Sequence, residues 1–430
     1  ASTYLTKTFS SSPTNAKIGT VSLWFKLANE ADSSNTFFRI FATGASATNR
    51  TDINITASTG TLNFTAVNSS TGLATSQGLR DESGFYNLVA SYDTTQSTAS
   101  DRLKLYLSGE QITAFGSATY PAQNADLDFG NNSNAHYIGK SPHFSPRFFH
   151  GIISHFHYVD GTAYPASTFG STDPTTGEWK INTAPTISSY GNNGFWILKD
   201  GNTITDSSPN SNNFTLGGGT LTKTEDNPSN VFATLNALAK PGTGNLPSFG
   251  NGNTHYNKTA TGSGNNSMIV ATLGATTGKF YYEYKMNDSN AFIAGISTLD
   301  NTYYDANGGS MNTASGVGVA YQSSGNKIIN GTSTSYGNSY GSGNIVGVAF
   351  DLVNNVIYFS KDGVWQNSGD PTSGSSGTGG IGIATTGITY SPFAQNNGYN
   401  SPSSVYYNFG NGYFGTTAVS SAGTNASGNG

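Results

Sequence analysis

Apolar side chains along this chain alternate with polar ones, or occur in short runs bounded by Gly, Asn and Ser. A period of two places successive side chains on opposite faces, so such segments predict β-strands rather than helices. The clearest examples are residues 21–25 (VSLWF), 86–92 (YNLVASY), 280–284 (FYYEY) and 345–351 (IVGVAFD). Many short strands separated by turn residues predict an all-β protein built of antiparallel β-sandwiches of the jelly-roll type.

The strand pattern is interrupted once, and this divides the chain into two predicted domains. Residues 241–267 are rich in Gly, Asn, Thr and Ser and contain few apolar side chains, which is typical of a flexible linker. We therefore predict a first β-sandwich over residues 1–240, with a connecting segment at 171–240, and a second over 268–415. The small, polar residues 416–430 predict a tail.

One segment has a helical pattern. Residues 229–240 (SNVFATLNALAK) begin with a Ser of the N-capping type and place Leu235 and Leu238 at helical spacing. Both features favour a helical turn at this position, directly before the predicted linker.

Composition narrows the classes of protein that such a fold could serve. Only 10% of the 430 residues are charged and 12% are aromatic. Disordered chains have the opposite balance, so this chain should fold around a core. Because the sequence contains no cysteine, disulfides, thiolate metal sites and cysteine nucleophiles are excluded.

Charge and hydropathy bear on possible partners and location. The net charge is -5 and Lys and Arg form no cluster, so we expect no nucleic-acid partner. No apolar run approaches the length of a membrane span, so we expect no insertion into a membrane. The chain opens with Ala-Ser-Thr, without the basic and then apolar segment of a signal peptide, and this start is typical of a protein that has lost its initiator methionine.

The first half carries a set of amphipathic strands in a fixed order. They are residues 86–93 (YNLVASYD), 103–110 (LKLYLSGE), 137–140 (YIGK) and 149–156 (FHGIISHF). This set resembles the strands of laminin-G-like, or concanavalin-like, domains, and the resemblance implies a jelly-roll sandwich. Domains of this kind sometimes bind calcium through loop aspartates and backbone carbonyls. By that resemblance Asp93 and Asp101 are candidate calcium ligands, and no other cofactor is expected; the alternative is that both carboxylates solvate a hairpin loop.

The second half carries a different set of strand motifs. They are residues 278–284 (GKFYYEY), 345–351 (IVGVAFD), 357–363 (IYFSKDG) and 406–410 (YYNFG). This set resembles SPRY domains, which implies a second β-sandwich. Together the two resemblances cover nearly the whole chain.

A further run of motifs links the two halves. The motifs are residues 159–170 (VDGTAYPASTFG), 177–180 (GEWK), 190–196 (YGNNGFW), 206–214 (Asp-Ser-Ser-Pro-Asn-Ser-Asn-Asn-Phe) and 234–236 (TLN). They are similar to structural proteins of marine bacteriophages, and several motifs keep that family's order. Residues 195–208 also look like the opening strand of a laminin-G-like domain. We therefore predict a permuted sandwich in which this strand completes the first domain.

Candidate catalytic groups are sparse. Five histidines fall close together, and His155 and His157 would share one face of a regular strand, which can hold a metal ion. We favour packed or surface imidazoles, because no carboxylate lies at ligand spacing before Asp160. The acidic cluster that glycosidases of the jelly-roll fold carry on one strand is missing, so we expect no enzymatic activity.

Aromatic residues in polar loops are the better candidates for binding. Tyrosine offers a flat apolar face and a hydroxyl at low entropic cost, which suits glycan or protein recognition. The candidate ligand-binding residues are Tyr303, Tyr304, Tyr336, Tyr340 and Tyr399. The alternative is that these side chains pin long loops onto the sandwich. The four tryptophans, including Trp365, are interpreted as core or domain-junction anchors.

The leading hypothesis is a non-enzymatic virion protein of a phage, synthesised in the host cytoplasm. It would be an exposed tail fibre, capsid fibre, spike or decoration that contacts other virion proteins and a host-surface polysaccharide or receptor. By resemblance to such fibres we expect a homo-oligomer, with a trimer as the form. Two alternatives remain open at this point: a secreted bacterial lectin or adhesin, and a polysaccharide depolymerase.

Overall fold

The computed structural model describes residues 3–28, 36–199, 203–238, 247–258, 268–298, 318–384, 386–396 and 402–423. The chain divides into two compact units, Ala1–Leu27 with Asp32–Val231 and Ala28–Ala31 with Phe232–Gly430. Within the described ranges both units are built of antiparallel strands, and the helices are short 3-10 turns. The predicted all-β class with two antiparallel β-sandwiches is confirmed.

The strands of the first unit are short and lie close together in the sequence. They are β1 (Tyr4–Lys7), β2 (Ile18–Leu27), β3 (Phe37–Gly44), β4 (Arg50–Thr56), β5 (Thr61–Thr65), β6 (Gly72–Gly78), β7 (Tyr86–Asp93), β8 (Leu103–Leu107), β9 (Glu110–Gln111), β10 (Phe115–Thr119), β11 (His136–Ile138), β12 (Gly151–Asp160), β13 (Gly170–Thr172), β14 (Trp179–Ile181), β15 (Phe195–Ile197) and β16 (Thr215–Gly218). Two 3-10 turns, Ala99–Asp101 and Ala166–Thr168, connect some of them.

Two large sheets form the first sandwich. One has the order β10-β6-β5-β4-β3-β11-β1-β16 and the other β15-β12-β2-β7-β8-β9, while β13 and β14 form a small separate hairpin. The alternation that predicted the strands also makes the core: Leu62 and Phe64 of β5 point inward and are buried, whereas Thr61, Asn63 and Thr65 are half-exposed.

The strand predicted to complete the first domain does so. β15 pairs with β12 at the edge of the six-stranded sheet, with Phe156 opposite Ile197 and Tyr158 opposite Phe195. Phe195 and Ile197 are fully buried in the same core as Phe156 and Tyr158. The late strand β16 likewise pairs with β1 from the start of the chain, so both sheets need residues beyond the first run of strands.

The second unit repeats the architecture. Its strands are β17 (Ser248–Gly250), β18 (His255–Lys258), β19 (Met268–Val270), β20 (Lys279–Met286), β21 (Phe292–Thr298), β22 (Gly318–Gln322), β23 (Asn326–Ile329), β24 (Thr332–Ser335), β25 (Ile345–Asp351), β26 (Val356–Lys361), β27 (Val364–Trp365), β28 (Ile381–Gly382), β29 (Tyr390–Asn396), β30 (Ser403–Asn408), β31 (Tyr413–Phe414) and β32 (Thr417–Ala418). Short 3-10 turns occupy Gln366–Ser368 and Gly374–Ser376.

The larger sheet of this unit runs β17-β18-β30-β20-β25-β26-β27, with β28 also paired to β26, and the smaller runs β19-β29-β21-β22-β23-β24. Tyr282, Tyr284 and Met286 of β20 are buried between the sheets, so Tyr281, Glu283 and Lys285 of the same strand lie on the opposite, outer face. This outer face holds the candidate site described below.

Two predictions of organisation are wrong. Within the predicted linker, residues 247–258 form β17 and β18, and β18 pairs with β30 in the larger sheet of the second unit; residues 241–246 and 259–267 lie outside the described residues. Phe249 and Tyr256 supply the buried side chains of these strands. The predicted tail also contains β32, which pairs with β31.

The predicted helical turn is wrong as well. Leu235 forms an isolated antiparallel bridge with Ala271, and its N–H donates to the Asn253 carbonyl at 2.9 Å. Residues 232–236 therefore pack as an extended segment of the second unit, and a turn follows at residues 237–238. The boundary between the units moves from the predicted residue 240 to residue 231.

No helix in the described part of the chain has the length and apolar character needed to cross a membrane.

Candidate functional site

The outer face of the larger sheet of the second unit exposes aromatic side chains. Tyr281 of β20 is 52% exposed, and Trp365 of β27 is partly exposed at the end of the same sheet. Tyr281 lies opposite Ala349, which in turn lies opposite Tyr358. Ser360 follows Tyr358 by two residues, so it is on the same face, and it lies opposite Trp365. The register therefore places Tyr281 and Trp365 on one face of the sheet. We call the group Tyr281, Glu283 and Trp365 the aromatic face.

The sequence builds this face by combining large and small side chains. Gly347 of β25 lies opposite Glu283 of β20 and opposite Ser360 of β26. A Cβ at Gly347 would come within 2.5 Å of both the Tyr281 hydroxyl and the Ser360 hydroxyl. Glycine at this position therefore lets the Tyr281 side chain lie across the neighbouring strand.

Polar contacts hold the aromatic face in place. The Tyr281 hydroxyl donates to Glu283 Oε1 at 2.7 Å, so one carboxylate oxygen is directed along the face. Burial, together with this carboxylate, raises the pKa of Tyr281 above its ordinary value. The rings of Tyr281 and Trp365 meet edge to face with centroids 6.4 Å apart, and Trp365 makes the same kind of contact with the buried Tyr358.

The arrangement can bind but contains no reactive pair. Flat aromatic rings next to a carboxylate can pack against the C–H faces of a sugar ring and accept hydrogen bonds from its hydroxyls. They could equally anchor a protein side chain. Sequence reasoning missed this face, although three consecutive aromatics at residues 280–282 had to place at least one ring outward.

Two of the predicted ligand-binding tyrosines lie in the described part of the second unit, and both pack inward. Tyr340 is only 6% exposed, and its hydroxyl contacts the Tyr284 hydroxyl and the Tyr321 carbonyl, each at 2.9 Å. The proposed role of Tyr340 in surface binding is therefore corrected to a role in the core, because a side chain closed in by the sandwich cannot meet a ligand.

Tyr336 is half-buried and pins its loop to the sandwich. Its ring meets Tyr321 and Phe359 edge to face, with centroids 5.6 and 6.2 Å away, and burial raises its pKa to about 12. This is the packing alternative that the sequence left open. Tyr303, Tyr304 and Tyr399 lie outside the described residues.

The candidate calcium ligands lie at the two ends of the loop between β7 and β8, with Asp93 the last residue of β7 and Asp101 in the 3-10 turn before β8. Asp93 Oδ1 accepts hydrogen bonds from the Thr95 N–H and hydroxyl at 3.0 and 2.6 Å, and Oδ2 accepts from Gln96 Nε2 at 2.6 Å. Partial burial alone would raise the pKa of Asp93, but these hydrogen bonds outweigh it and lower the pKa. Asp101 pairs instead with Lys104 Nζ at 3.1 Å. Over the described residues, no three His, Asp or Glu side chains come together to hold a metal ion.

We expect that calcium does not stabilise the protein, because the carboxylate oxygens of Asp93 already serve the loop. An extracellular calcium site with a Kd of about 10⁻⁴–10⁻³ M would stabilise the fold by roughly 1–3 kcal/mol in 10 mM calcium. The melting temperature should be the same in calcium and in EDTA, for the wild type and for Asp93→Asn alike. An increase with calcium that Asp93→Asn abolishes would reinstate the site.

A cleft in the first unit is a second candidate binding feature. It has a volume of 410 Å³ and lies between β5 and β6 of one sheet and β8 and β9 of the other. Leu62, Leu79 and Tyr86 make its apolar wall, and Glu110 is the one carboxylate of its described lining. Glycoside hydrolysis by the usual mechanism needs two carboxylates flanking the bond, so this cleft suits binding better than cleavage.

The histidine cluster is mostly packed within the first unit. His136, His150 and His157 are buried. His157 stacks on Trp196 with centroids 4.8 Å apart, and its Nδ1 lies 2.9 Å from the Tyr190 hydroxyl. A register shift between Ser154 and His157, with a positive φ of 47° at His155, breaks the alternation that would have placed His155 and His157 on one face.

Comparison with known families agrees with the two folds. Residues 2–167 match the family model of the concanavalin A-like lectin/glucanase superfamily, and residues 279–380 match that of the SPRY domain. The chain thus contains a concanavalin-like domain and a SPRY domain, as their motifs predicted. Domains of these two classes typically bind carbohydrates or proteins, which is compatible with a protein that is not an enzyme.

Solved structures similar to parts of this chain include SPRY domains. That of human HERC1 shares 17% identity, covers 36% of this chain and 87% of its own, and has a TM-score of 0.27. A second human SPRY domain shares 14% identity over 36% of this chain and 91% of its own, with a TM-score of 0.26. Stonustoxin shares 14% identity over 41% of this chain and 27% of its own, with a TM-score of 0.29. No curated protein matches this chain.

Proposed function

We propose that this protein is a structural component of a phage particle, exposed as a fibre, spike or decoration, that binds a host-surface glycan through the aromatic face. The virion role is supported by the ordered motifs of residues 159–236, which are similar to marine phage structural proteins. The binding role is carried by a single observation, the exposed Tyr281 and Trp365 rings beside the Glu283 carboxylate.

The aromatic face alone would bind weakly. It offers two rings and one carboxylate oxygen on a flat sheet, whereas strong small-ligand sites enclose most of their ligand. Many copies on one particle would turn weak single contacts into firm attachment, because each further contact becomes intramolecular. By resemblance to phage fibres we propose a homo-oligomer, with a trimer as its form, and light scattering of the purified chain measures this directly.

Replacing Trp365 with alanine should weaken binding of the full chain to its glycan about tenfold or more, which is typical of a tryptophan at the centre of a binding surface. A glycan array identifies the ligand, and titration of wild type and variant measures the loss. Tyr281→Phe keeps the ring and should lose less than Tyr281→Ala.

Val353→Ala is the matched control, because Val353 is also exposed, at 59%, but lies in the turn between β25 and β26. If Trp365→Ala and Val353→Ala bind equally well, the aromatic face is not the binding surface.

Mass spectrometry of purified particles tests the virion role separately. The protein should be present in fixed stoichiometry with the other particle proteins. Absence from particles, together with strong glycan binding by the soluble chain, would instead indicate a secreted lectin or adhesin.

A further inference from the structure

Two arginines share one carboxylate on the outer side of the eight-stranded sheet of the first unit, and a third arginine lies beside them. Arg39 of β3 contacts Asp52 Oδ1 through Nη1, and Arg50 of β4 contacts Asp52 Oδ2 through Nε at 2.5 Å. Asn54 of β4 also donates to Asp52 Oδ1. Both oxygens of Asp52 are therefore occupied, and Asp52 itself is fully buried.

The third arginine reaches the cluster from a loop. The chain turns back between β11 and β12, where the Ser141 N–H donates to the Arg147 carbonyl at 3.1 Å and His143 Nε2 donates to the Gly44 carbonyl at 2.9 Å. These bonds fix the loop against the end of β3. The Arg147 guanidinium lies 3.9 Å from the ring centre of Phe144 and 4.7 Å from that of Phe37.

The cluster has a net positive charge, because it contains three arginines and one carboxylate, Asp52. Among the described residues Arg147 has no carboxylate partner, and Asp52 is the carboxylate that Arg39 and Arg50 share. Burial lowers the pKa of Arg39, and the nearby carboxylate of Asp52 opposes this effect. The positive charges of Arg50 and Arg147 lower the pKa of Arg39 further, so the three guanidinium groups repel one another electrostatically.

A second observation is a hydrogen-bond donor of Arg39 that has no acceptor. Arg39 is only 2% exposed, yet its Nε atom is buried without a hydrogen-bond partner. A buried charged group that lacks acceptors raises the local positive potential, because little water screens it. Arg147 and the 13%-exposed Arg50 carry this potential to the surface, with Phe37 and Phe144 beside them.

We propose that Arg147 and Arg50, above the buried Arg39, form a site for the carboxylate of an acidic polysaccharide. The planar guanidinium fork of Arg147 matches a planar carboxylate, and the flanking phenylalanine rings can pack against the sugar that bears it. This inference goes beyond the proposed function, because it places a second, independent site in the first unit and names uronate-containing polymers as its ligand class.

The test measures binding of the full chain to polygalacturonate, with dextran sulfate as a charge control and dextran as a neutral control. Arg147→Ala should weaken polygalacturonate binding about 10- to 100-fold, as expected for loss of a bidentate charged contact. Arg147→Lys should recover only part of the loss, because lysine keeps the charge but not the fork. Arg80→Ala removes the same charge from an exposed position of the same unit and should change binding less than about twofold.

Two outcomes would overturn the inference. One is equal loss with Arg147→Ala and Arg80→Ala, and the other is full recovery with Arg147→Lys, since either would indicate charge attraction alone. The Trp365→Ala variant separates this site from the proposed function, because it should retain Arg147-dependent polygalacturonate binding even if the aromatic face binds nothing.

Discussion

Replacing Asp160 with alanine is expected to destabilise the first unit by about 3–5 kcal/mol, the largest effect of any single substitution considered for this protein. Asp160 ends β12 and is 2% exposed. Its Oδ2 accepts the N–H groups of Thr14 at 2.6 Å and Asn193 at 3.1 Å, and its Oδ1 accepts that of Asn15 at 3.1 Å. Each hydrogen bond to a charged group contributes roughly 1.5–3 kcal/mol, and these do not add fully.

The loss should be large because Asp160 joins distant parts of the chain. Asn193, which it holds, donates through Nδ2 to the carbonyls of Ser11 and Gly130 at 2.7 and 2.6 Å. The start of the chain, the end of β12 and the segment leading into β15 therefore depend on one carboxylate. Removing it leaves three amide groups without an acceptor and loosens the strand that completes the sandwich.

Calorimetry of the full chain should show a transition lowered by roughly 10 °C for Asp160→Ala. Asp173→Ala is the matched control, since Asp173 also accepts two backbone N–H groups, from Thr175 and Thr176, and pairs with Lys180. Asp173 is accessible to water, which replaces the lost contacts, so its transition should not move measurably. Equal effects of the two substitutions would refute the role assigned to Asp160.

The strand pattern predicted the two sandwiches because a strand that buries one face alternates apolar and polar residues along its sequence. Residues 86–92 and 345–351 became central strands, and even the permuted β15 follows from the apolar triplet at 195–197. Each of these strands packs at least one continuous row of apolar side chains into the core, so the local signal and the final environment agree.

The second unit shows where local patterns fail. Residues 247–258 look like a linker because they contain only two large apolar side chains, Phe249 and Tyr256. These two suffice to bury one face of the short edge strand β17 and of its neighbour β18. In the predicted helical turn, Leu235 is fully buried but Leu238 is 58% exposed, so no apolar stripe exists. Backbone hydrogen bonds to distant residues 253 and 270 decided its conformation.

The candidate sites were harder to predict than the fold. A tyrosine in a polar loop can face solvent or pin the loop, and the sequence does not distinguish the two; Tyr340 became part of the core. The aromatic face depends on pairing of β20 with β25 and of β26 with β27, and the arginine cluster on pairing of β3 with β4. Residues that converge only through such register cannot be seen as a motif.

The second large effect is a loss of folding stability when the pH falls below about 6.5. His136 is fully buried, and burial lowers its pKa to about 4. Its Nε2 accepts the Gly130 N–H at 2.9 Å, which leaves Nδ1–H to donate to the Asn134 carbonyl at 3.1 Å. The Asp128 carbonyl also lies 3.2 Å from Nε2. Both nitrogens of the neutral ring are thus hydrogen-bonded, and protonation would set the new Nε2–H against the Gly130 N–H. Burial also lowers the pKa of His157 well below its ordinary range.

These lowered pKa values fix the direction of the pH dependence. Above about pH 6.5 both rings are neutral in the folded and the unfolded chain, so neither affects stability. As the pH falls below this value, the two histidines bind protons in the unfolded chain but stay neutral in the folded chain. The free energy of unfolding therefore falls by about 1.4 kcal/mol per pH unit for each histidine. For His136 the loss ends near pH 4, after about 3 kcal/mol.

Urea unfolding at a series of pH values between about 7.5 and 5 measures this effect, since carboxylates with ordinary pKa values stay ionised in that range. His136→Gln should be less stable than the wild type at neutral pH, because packing and hydrogen bonds are lost. Below about pH 6.5 its stability should fall less steeply, by about 1.4 kcal/mol per pH unit, because the proton that His136 takes up on unfolding is no longer involved. An unchanged slope in His136→Gln, or a His136 NMR resonance that titrates near its ordinary pKa of about 6.5 in the folded protein, would show that the ring is not held neutral by burial.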